Sequence, residues 1–335
     1  MKYITSIIFC LLAGFFNYTI AQNKDIDSLK TLLKERKGKT DTKQVDLLNQ
    51  LAKLFVRIDT KKTQYYCDQA LKMANKVDYK AGIGFSNHII GNSYYVSGDY
   101  KNAIKYYLES VKIKEALNDK RGTVLSQKNL GSCFSRTKDY EKSLEYYNNA
   151  LKSAKEIKDV RLISGLYNNI GVVFSEQKEF TKARETYFKA LEGYKELGSK
   201  SGESIALSNI GDTYESEKSY EKALEYYQRS FKIDKDLQKD FLGMAITLRG
   251  IGSVHAKMGN FDKSKETLDE ALKISKKVGS KSLEYEIYST YAKLYQAKDD
   301  HKNALKYYKQ HVALKDSIFN RSYALKSYVS FVFML

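Results

Sequence analysis

An asparagine stands two residues before a glycine at three places in this sequence, and a polar amide that recurs in this way can bind a ligand. The three residues are Asn129, Asn169 and Asn209. A side-chain amide donates and accepts hydrogen bonds, so a row of them can pair with the amide groups of an extended peptide, whatever side chains that peptide carries. The same amides can instead bond between helices of the fold, and the spacing leaves both interpretations open.

Residue types that serve enzymes and metal sites do not fall into a recognisable spacing. The recurring glycines stand singly inside helical patterns, so they form no phosphate-binding loop. The histidines His88, His255, His301 and His311 show no metal-ligand spacing, and His255 takes a position that aromatic residues otherwise fill. No serine, cysteine or acidic pair stands apart as a nucleophile or an acid/base pair. We predict that the chain is not an enzyme and carries no cofactor or metal.

Composition indicates long amphipathic helices. The 335 residues contain no proline or tryptophan, 28 tyrosines and 29% charged residues, which is unlike a turn-rich β-protein. The formal net charge of +17 raises the possibility of nucleic acid, a membrane surface or an anionic envelope polymer as partner. Because the lysines are scattered along the helices and interleaved with acids, we favour solvated helix faces and predict no nucleic-acid partner.

A small residue returns about every 40 positions and marks seven units. Gly91, Gly131, Gly171 and Gly211 are 40 apart, and Ala52, Gly252 and Ala292 extend the series. An apolar residue precedes each small one: Leu51, Ile90, Leu130, Ile170, Ile210, Ile251 and Tyr291. A ring usually follows three places later: Phe55, Tyr94, Phe134, Phe174, Tyr214, His255 and Tyr295. At 100° per residue these positions share one helical face, which we predict to be buried.

A second helix follows each of these after a short polar break. It carries a small residue and, four places later, a large one, as in Ala103 and Tyr107 or Ala223 and Tyr227. Two antiparallel helices can pack with axes roughly 8–10 Å apart only where the side chains at the crossing are short. A single hairpin cannot cover its own apolar faces, so the hairpins must stack on one another.

This order of small and aromatic positions resembles the tetratricopeptide repeat, in a variant with units of about 40 residues. The resemblance implies an all-α, right-handed superhelical solenoid of antiparallel helix hairpins. We predict a capping helix within 22–43 and hairpins at 44–80, 81–120, 121–160, 161–200, 201–240, 241–280 and 281–320. The usual tryptophan and closing proline are missing, and Thr63 replaces a small residue in the first unit. We therefore expect looser inter-unit turns or longer helices than in the standard repeat.

The resemblance also implies that the first helix of each hairpin lines a concave groove. Positions six, three and two before the small residue, and one and five after it, lie opposite the packed stripe. They supply the predicted peptide-binding groove: Lys128, Asn129, Arg136, Asn168, Asn169, Asn209, Asp212, Arg249 and Lys257. The same offsets place Ile89, Ser208 and Gly250 in the groove. Lys128, Asn129 and Arg136 also resemble part of a carboxylate clamp, although its matching basic residues in the adjoining unit are absent.

The two ends of the chain differ in composition from the repeats. Residues 1–21 consist of a basic start, a short apolar run and a small residue at the end. This order predicts a cleaved secretory signal, and an uncleaved membrane anchor is the alternative. Export would be to a periplasmic or extracellular location. Cys67 and Cys133 fall inside helical patterns, so we predict free buried thiols rather than a disulfide. The apolar tail at 321–335 is too short to span a bilayer.

We predict from these features an exported, non-enzymatic scaffold that binds a protein or peptide in the groove, with no stable membrane span in the mature chain. The alternative is the ligand-sensing portion of a signal-transduction regulator. The repeats after an export signal resemble the sensor regions of bacterial histidine kinases and transcription regulators, but no output domain follows.

Overall fold

The computed structural model describes residues 25–237 and 240–315, and every regular element in these ranges is a helix. Helices α1 and α15 span 25–35 and 301–315. Between them lie α2 (Thr42–Phe55), α3 (Thr60–Lys76), α4 (Lys80–Val96), α5 (Tyr100–Ala116), α6 (Lys120–Arg136), α7 (Tyr140–Glu156), α8 (Val160–Glu176), α9 (Phe180–Glu196), α10 (Lys200–Ser216), α11 (Tyr220–Asp236), α12 (Phe241–Lys257), α13 (Phe261–Val278) and α14 (Lys281–Ala297).

The chain divides into two compact units. Unit 1 ends at Ser153 and unit 2 begins at Ala154, within α7. In each unit, consecutive helices pack as hairpins, and each described hairpin contacts the next one in the same unit. The predicted all-α fold of tandem helix hairpins is therefore confirmed for the described residues.

Short polar breaks end the helices and cap the next ones. Most of these helices have 17 residues, and a residue with positive φ follows them, such as Lys138, Lys178 or Lys218 (each φ 63°). The next helix commonly begins after an aspartate whose carboxylate accepts a backbone N–H, as Asp119 does from Gly122 at 2.9 Å. The missing proline is thus associated with longer helices and tight left-handed turns, and not with looser turns.

The recurring small residue is where the two helices of a hairpin touch. In unit 1, a Cβ added at Gly91 would lie 2.6 Å from the Tyr107 ring. In unit 2, a Cβ at Gly171 would lie 2.5 Å from the Tyr187 ring, and one at Gly211 2.8 Å from Tyr227. Because real Cβ atoms do not approach other atoms this closely, only glycine lets the ring lie flat against the helix. The predicted close approach is confirmed.

The predicted buried stripe is also confirmed. The apolar residues that precede the small positions are all at most 9% exposed: Leu51, Ile90, Leu130, Ile170, Ile210, Ile251 and Tyr291. Most of the rings three places after the small positions stack on second-helix tyrosines. In unit 1 Tyr94 lies 5.5 Å from Tyr106, and in unit 2 Tyr214 lies 5.4 Å from Tyr226.

Helix α1 covers the open side of the first hairpin. Ile26 is 6% exposed and packs with Leu51 and Phe55, assisted by Leu29 and Leu33. A terminal helix of this kind shields the apolar face that a further repeat would otherwise cover. The predicted signal at 1–21 and the apolar tail at 321–335 lie outside the described residues. Within the described part, no helix is both long and apolar enough to cross a bilayer.

The two cysteines of the described chain are free and buried, as predicted. Burial raises the pKa of both thiols, Cys67 and Cys133, to about 12. A thiol that stays protonated in an apolar environment is a poor nucleophile, so these side chains serve packing.

Candidate functional site

The candidate site is the surface formed by the first helix of each hairpin. In unit 1 this first-helix face comprises α2, α4 and α6; in unit 2 it comprises α8, α10, α12 and α14. Each face carries polar side chains from neighbouring hairpins that contact one another.

In unit 1, an amide pair joins the second and third hairpins. Asn129 donates through Nδ2 to Asn92 Oδ1 at 2.9 Å, and the Tyr107 hydroxyl donates to the same oxygen at 2.7 Å. Both asparagines are half-buried. One N–H of Asn129 is therefore engaged within the protein, and its position is fixed by the neighbouring hairpin.

The same face of unit 1 is basic. Lys128 is half-buried, and burial lowers the pKa of its ammonium group. His88 lies close by: its Nδ1 is 2.9 Å from Ser126 Oγ, and its pKa falls to about 3 because of burial and the positive charges of Lys114, Lys128 and Lys53. His88 is thus neutral at physiological pH. The sequence reasoning did not assign Lys53 to the face, although it follows Ala52 directly and the offset of one applied to the first hairpin would have found it.

Behind this face, a buried lysine lies in the seam between α5 and α6. Lys114 is 6% exposed, and its Nζ donates to Ser126 Oγ at 3.0 Å and to Gly122 O at 3.4 Å. Ser110 Oγ lies 3.1 Å from Ser126 Oγ in the same network. Burial lowers the pKa of Lys114 to about 8, although Asp119 partly opposes the shift.

In unit 2, an amide pair again joins two hairpins. Asn209 donates through Nδ2 to Asn168 Oδ1 at 2.9 Å, and both residues are half-buried. Asn169 is also half-buried on α8. Asn129 and Asn209, two of the three asparagines that stand two places before a glycine, thus bond between hairpins, which is the second of the two interpretations that the sequence left open.

Two carboxylates of unit 2 share one tyrosine hydroxyl. Tyr227 Oη lies 2.5 Å from Asp212 Oδ1 and 2.7 Å from Glu215 Oε2, although a hydroxyl has only one proton to donate. Burial raises the pKa of Asp212 to about 6 against the opposing charge of Arg249. Burial would raise the pKa of Glu215 as well, but hydrogen bonds from Ser253 at 2.6 Å and Lys257 at 2.9 Å outweigh it and lower that pKa.

The remainder of this face combines a charge pair with exposed apolar side chains. Arg249 Nε lies 3.4 Å from Glu286 Oε2 and makes no hydrogen bond within the described structure. Ile205 and Ile246 stand six places before Gly211 and Gly252, and their side chains are 49% and 37% exposed. By contrast, Ile210, which lies on α10 with Ile205, is fully buried.

A buried carboxylate occupies the seam behind this face. Asp234 is fully buried between α11 and α12; Thr247 donates to its Oδ2 at 3.3 Å, and its Oδ1 has no hydrogen-bond partner in the described structure. Ser204 and Ser230 adjoin it, their hydroxyls 2.8 Å apart. Burial raises the pKa of Asp234.

Three residues that the helical offsets placed in the groove are instead buried. Ile89 and Ser208 are 0% and 9% exposed, and a Cβ at Gly250 would lie 2.7 Å from the Tyr227 ring. Ile89 and Gly250, each two places before the small residue, meet the preceding hairpin, a contact that a single-helix projection does not include. Arg136 is exposed at the end of α6, and Lys257 is half-exposed beside Glu215.

The histidines do not form a metal site within the described part of the chain, where no group of three His, Cys, Asp or Glu side chains could hold an ion. His255 is half-buried in its aromatic position, and burial lowers its pKa. His311 stacks on Tyr285 with ring centroids 4.0 Å apart.

Comparison with known proteins agrees with the repeat pattern. A family model described as tetratricopeptide repeat matches residues 83–156, 162–236 and 243–317, about two thirds of the chain. The chain belongs to the tetratricopeptide repeat family. No curated protein matches it significantly.

Solved structures share the fold of this tetratricopeptide repeat protein at low identity. A Rap protein complexed with Competence and Sporulation Factor is 15% identical with a TM-score of 0.61, covering 90% of this chain and 88% of that one. NprR in complex with its cognate peptide NprX is 16% identical with a TM-score of 0.61, covering 94% and 98%. A signal transduction ATPase with a tetratricopeptide repeat sensor from Pyrococcus horikoshii is 19% identical with a TM-score of 0.62, covering 73% and 38%.

Proposed function

We propose that the protein is an exported, non-enzymatic scaffold that binds a protein or peptide segment on the first-helix face of unit 2. The observation that carries the proposal is the exposure of Ile205 and Ile246 beside polar side chains that neighbouring hairpins hold in position. Groups fixed before binding lose little conformational entropy when a ligand arrives, which favours recognition. Isolated exposed isoleucines would need no explanation, but these two occupy one repeat position on adjoining helices and together offer apolar surface to a ligand.

The structural relatives support a peptide as the ligand. NprR was solved with its cognate peptide and the Rap protein with Competence and Sporulation Factor, on folds similar to this one. An open peptide backbone needs donors and acceptors, and the amides of Asn168 and Asn209 lie on the face where such a backbone would run.

A binding selection tests this proposal. Random linear peptides displayed on phage are selected on the purified protein, and the enriched peptides are measured by fluorescence anisotropy against two variants. Ile205→Glu/Ile246→Glu places charges on the face, and Leu108→Glu, at a side chain 41% exposed on a second helix, is the matched control. We expect the double variant to weaken binding at least about tenfold and the control to leave it unchanged. Failure to enrich any peptide, or equal binding to the double variant, would contradict the proposal.

Export is a separate part of the proposal and has its own test. The apolar run at 1–21 motivates it. Fractionation of cells that express the full-length chain, followed by N-terminal sequencing, should find the protein outside the cytoplasm with Gln22 as its first residue. A cytoplasmic protein that keeps Met1 or Lys2 would contradict export.

A second candidate function is the ligand-sensing portion of a signal-transduction regulator. Its support is the structural likeness to the repeat sensor of the ATPase from Pyrococcus horikoshii. A neighbouring reading frame that encodes a membrane helix with a kinase or a DNA-binding domain, and whose output changes when this gene is deleted, would favour this role over a stand-alone scaffold.

A further inference from the structure

The spacing of the exposed isoleucines carries an inference about the conformation of the ligand, and it rests on the proposed function. Ile205 on α10 and Ile246 on α12 occupy the same repeat position. The two helices adjoin directly: Ser253 and Lys257 of α12 contact Glu215 of α10 at 2.6 and 2.9 Å. Packed helices run with axes about 8–10 Å apart, so equivalent side chains of α10 and α12 are separated by about that distance.

Only some backbone conformations repeat a side-chain direction at this interval. A β-strand returns a side chain to one face every second residue, after about 6.6 Å, which is too short. A polyproline II segment does so every third residue, after about 9.3 Å. An α-helix reaches about 10.5 Å between residues i and i+7.

Polar groups beside the isoleucines distinguish the last two conformations. A helix satisfies its own backbone amides, whereas a polyproline II segment leaves all of its N–H and C=O groups free. Asn168 and Asn209 lie on this face, held in place by their mutual 2.9 Å bond, and amide side chains both donate and accept. A free backbone uses such groups, and a helix does not.

Charge defines one more property of the ligand. Asp212, Glu215 and Glu286 contribute three carboxylates to this face, against the cations of Arg249 and Lys257. Lys257 pairs with Glu215, and Arg249 pairs with Glu286 while its charge also acts on Asp212, which accepts a 2.5 Å hydrogen bond from the Tyr227 hydroxyl. These three carboxylates and two cations leave one negative charge, which a ligand cation beside Asp212 would balance.

We infer that the first-helix face of unit 2 binds a peptide in the polyproline II conformation that carries apolar side chains at positions i and i+3 and a lysine or arginine beside them. The apolar pair covers Ile205 and Ile246, the free backbone pairs with the asparagine amides, and the basic side chain approaches Asp212.

The peptides enriched on the wild-type protein, and depleted by counter-selection on Ile205→Glu/Ile246→Glu, test this inference. We expect their apolar residues to recur at i and i+3. Two synthetic peptides of equal composition, one with this spacing and one with apolar residues at i and i+2, should differ at least about tenfold in affinity for the wild-type protein. Equal affinity, or an enriched pattern at i and i+2 or at i and i+7, would overturn the inference while leaving face-dependent binding, and hence the proposed function, intact.

The charge requirement has its own mutant cycle. Replacing the basic residue of the synthetic peptide with glutamine should weaken its binding to the wild-type protein about fivefold or more. The same replacement should leave the affinity for the Asp212→Asn variant unchanged. Circular dichroism checks that Asp212→Asn keeps its helicity, and Leu108→Glu reports any general effect of surface change. An equal loss on wild-type protein and Asp212→Asn would overturn the assignment of Asp212 as the ligand's charge partner.

Discussion

The seam between α5 and α6 in unit 1 and the seam between α11 and α12 in unit 2 share one geometry and contain opposite charges. Lys114 and Asp234 stand at the same repeat position, seven residues after Tyr107 and Tyr227, and both are buried. Each contacts a hydroxyl of the following first helix: Ser126 in unit 1 and Thr247 in unit 2. The repeat therefore fixes the packing at this position but leaves the sign of its charge free.

The first-helix faces also differ in charge, basic in unit 1 and more acidic in unit 2. Unit 1 places Lys53 and Lys128 around His88, whereas unit 2 places Asp212 and Glu215 around Tyr227. A tetratricopeptide array can change the ligand chemistry of a face with substitutions at a few positions, because the glycine and aromatic positions that build the hairpin are elsewhere on the helix.

The largest effect should follow from a change to the packing that both units share. Gly171→Ala places a methyl group 2.5 Å from the Tyr187 ring, so we expect a loss of about 1–3 kcal/mol in the free energy of unfolding. Gly165→Ala in the same helix is the control, since its Cβ would meet only Tyr194 Oη at 3.9 Å. That variant should gain about 0.5–1 kcal/mol, because alanine favours helices over glycine. Urea denaturation measures both, and an equal response would contradict the close-packing role.

The buried carboxylate should give an effect that grows with pH. Since burial raises the pKa of Asp234 above its ordinary 3.8, the native state favours the protonated form, and wild-type protein loses stability as pH rises through the native pKa. Asp234→Asn cannot ionise. We expect the variant to be more stable than wild type by about 1 kcal/mol at pH 8 and to approach it near pH 4. Thermal melts across this range measure the difference, and a gap independent of pH would contradict the assignment.

The buried lysine should show the opposite trend. Its pKa falls from 10.5 to about 8 on folding, so the cost of burying its charge is fully present below pH 8 and is relieved as pH rises toward 10.5. Lys114→Met keeps the aliphatic stem and removes the charge. We expect the variant to exceed wild type by about 1 kcal/mol at pH 7, and this difference to shrink by pH 10. A difference that widens with pH would show that the two seams do not behave as opposites.

Loss of one inter-hairpin amide pair should have the smallest effect. Asn129→Ala and Asn209→Ala each remove one neutral hydrogen bond that is only half-buried, so each should lower the free energy of unfolding by about 0.5 kcal/mol, the low end for such a bond, and retain helicity. Adding Asn169→Ala to these two substitutions should weaken the binding of an enriched peptide and should cause little further loss in the free energy of unfolding. Equal melting curves for the variants and wild type would show that the amide pairs contribute nothing to the stacking.

Local repetition explains what the sequence could predict. The small residue and the ring after it pack within one hairpin, so helical periodicity and spacing were enough to place them. Periodicity also predicted the burial of the apolar residue before the small one, but that residue packs in a cluster with the preceding hairpin, as Ile210 does with Ala183 and Tyr187. The contacts between hairpins were harder to predict from the sequence. Ile89 and Gly250 projected away from the stripe of their own helix, but the neighbouring hairpin covers them. The pairing of Asn129 with Asn92 likewise depends on how two hairpins align, which no single repeat encodes.

Photo-crosslinking tests most directly whether the unit 2 face is the binding surface. A benzophenone amino acid is placed at position 205 or 246 in place of isoleucine, or at position 108 in place of leucine, and each protein is irradiated with an enriched peptide. We expect a covalent adduct from positions 205 and 246 and none from position 108. Adducts only at 108, or equal adducts at all three positions, would contradict the account.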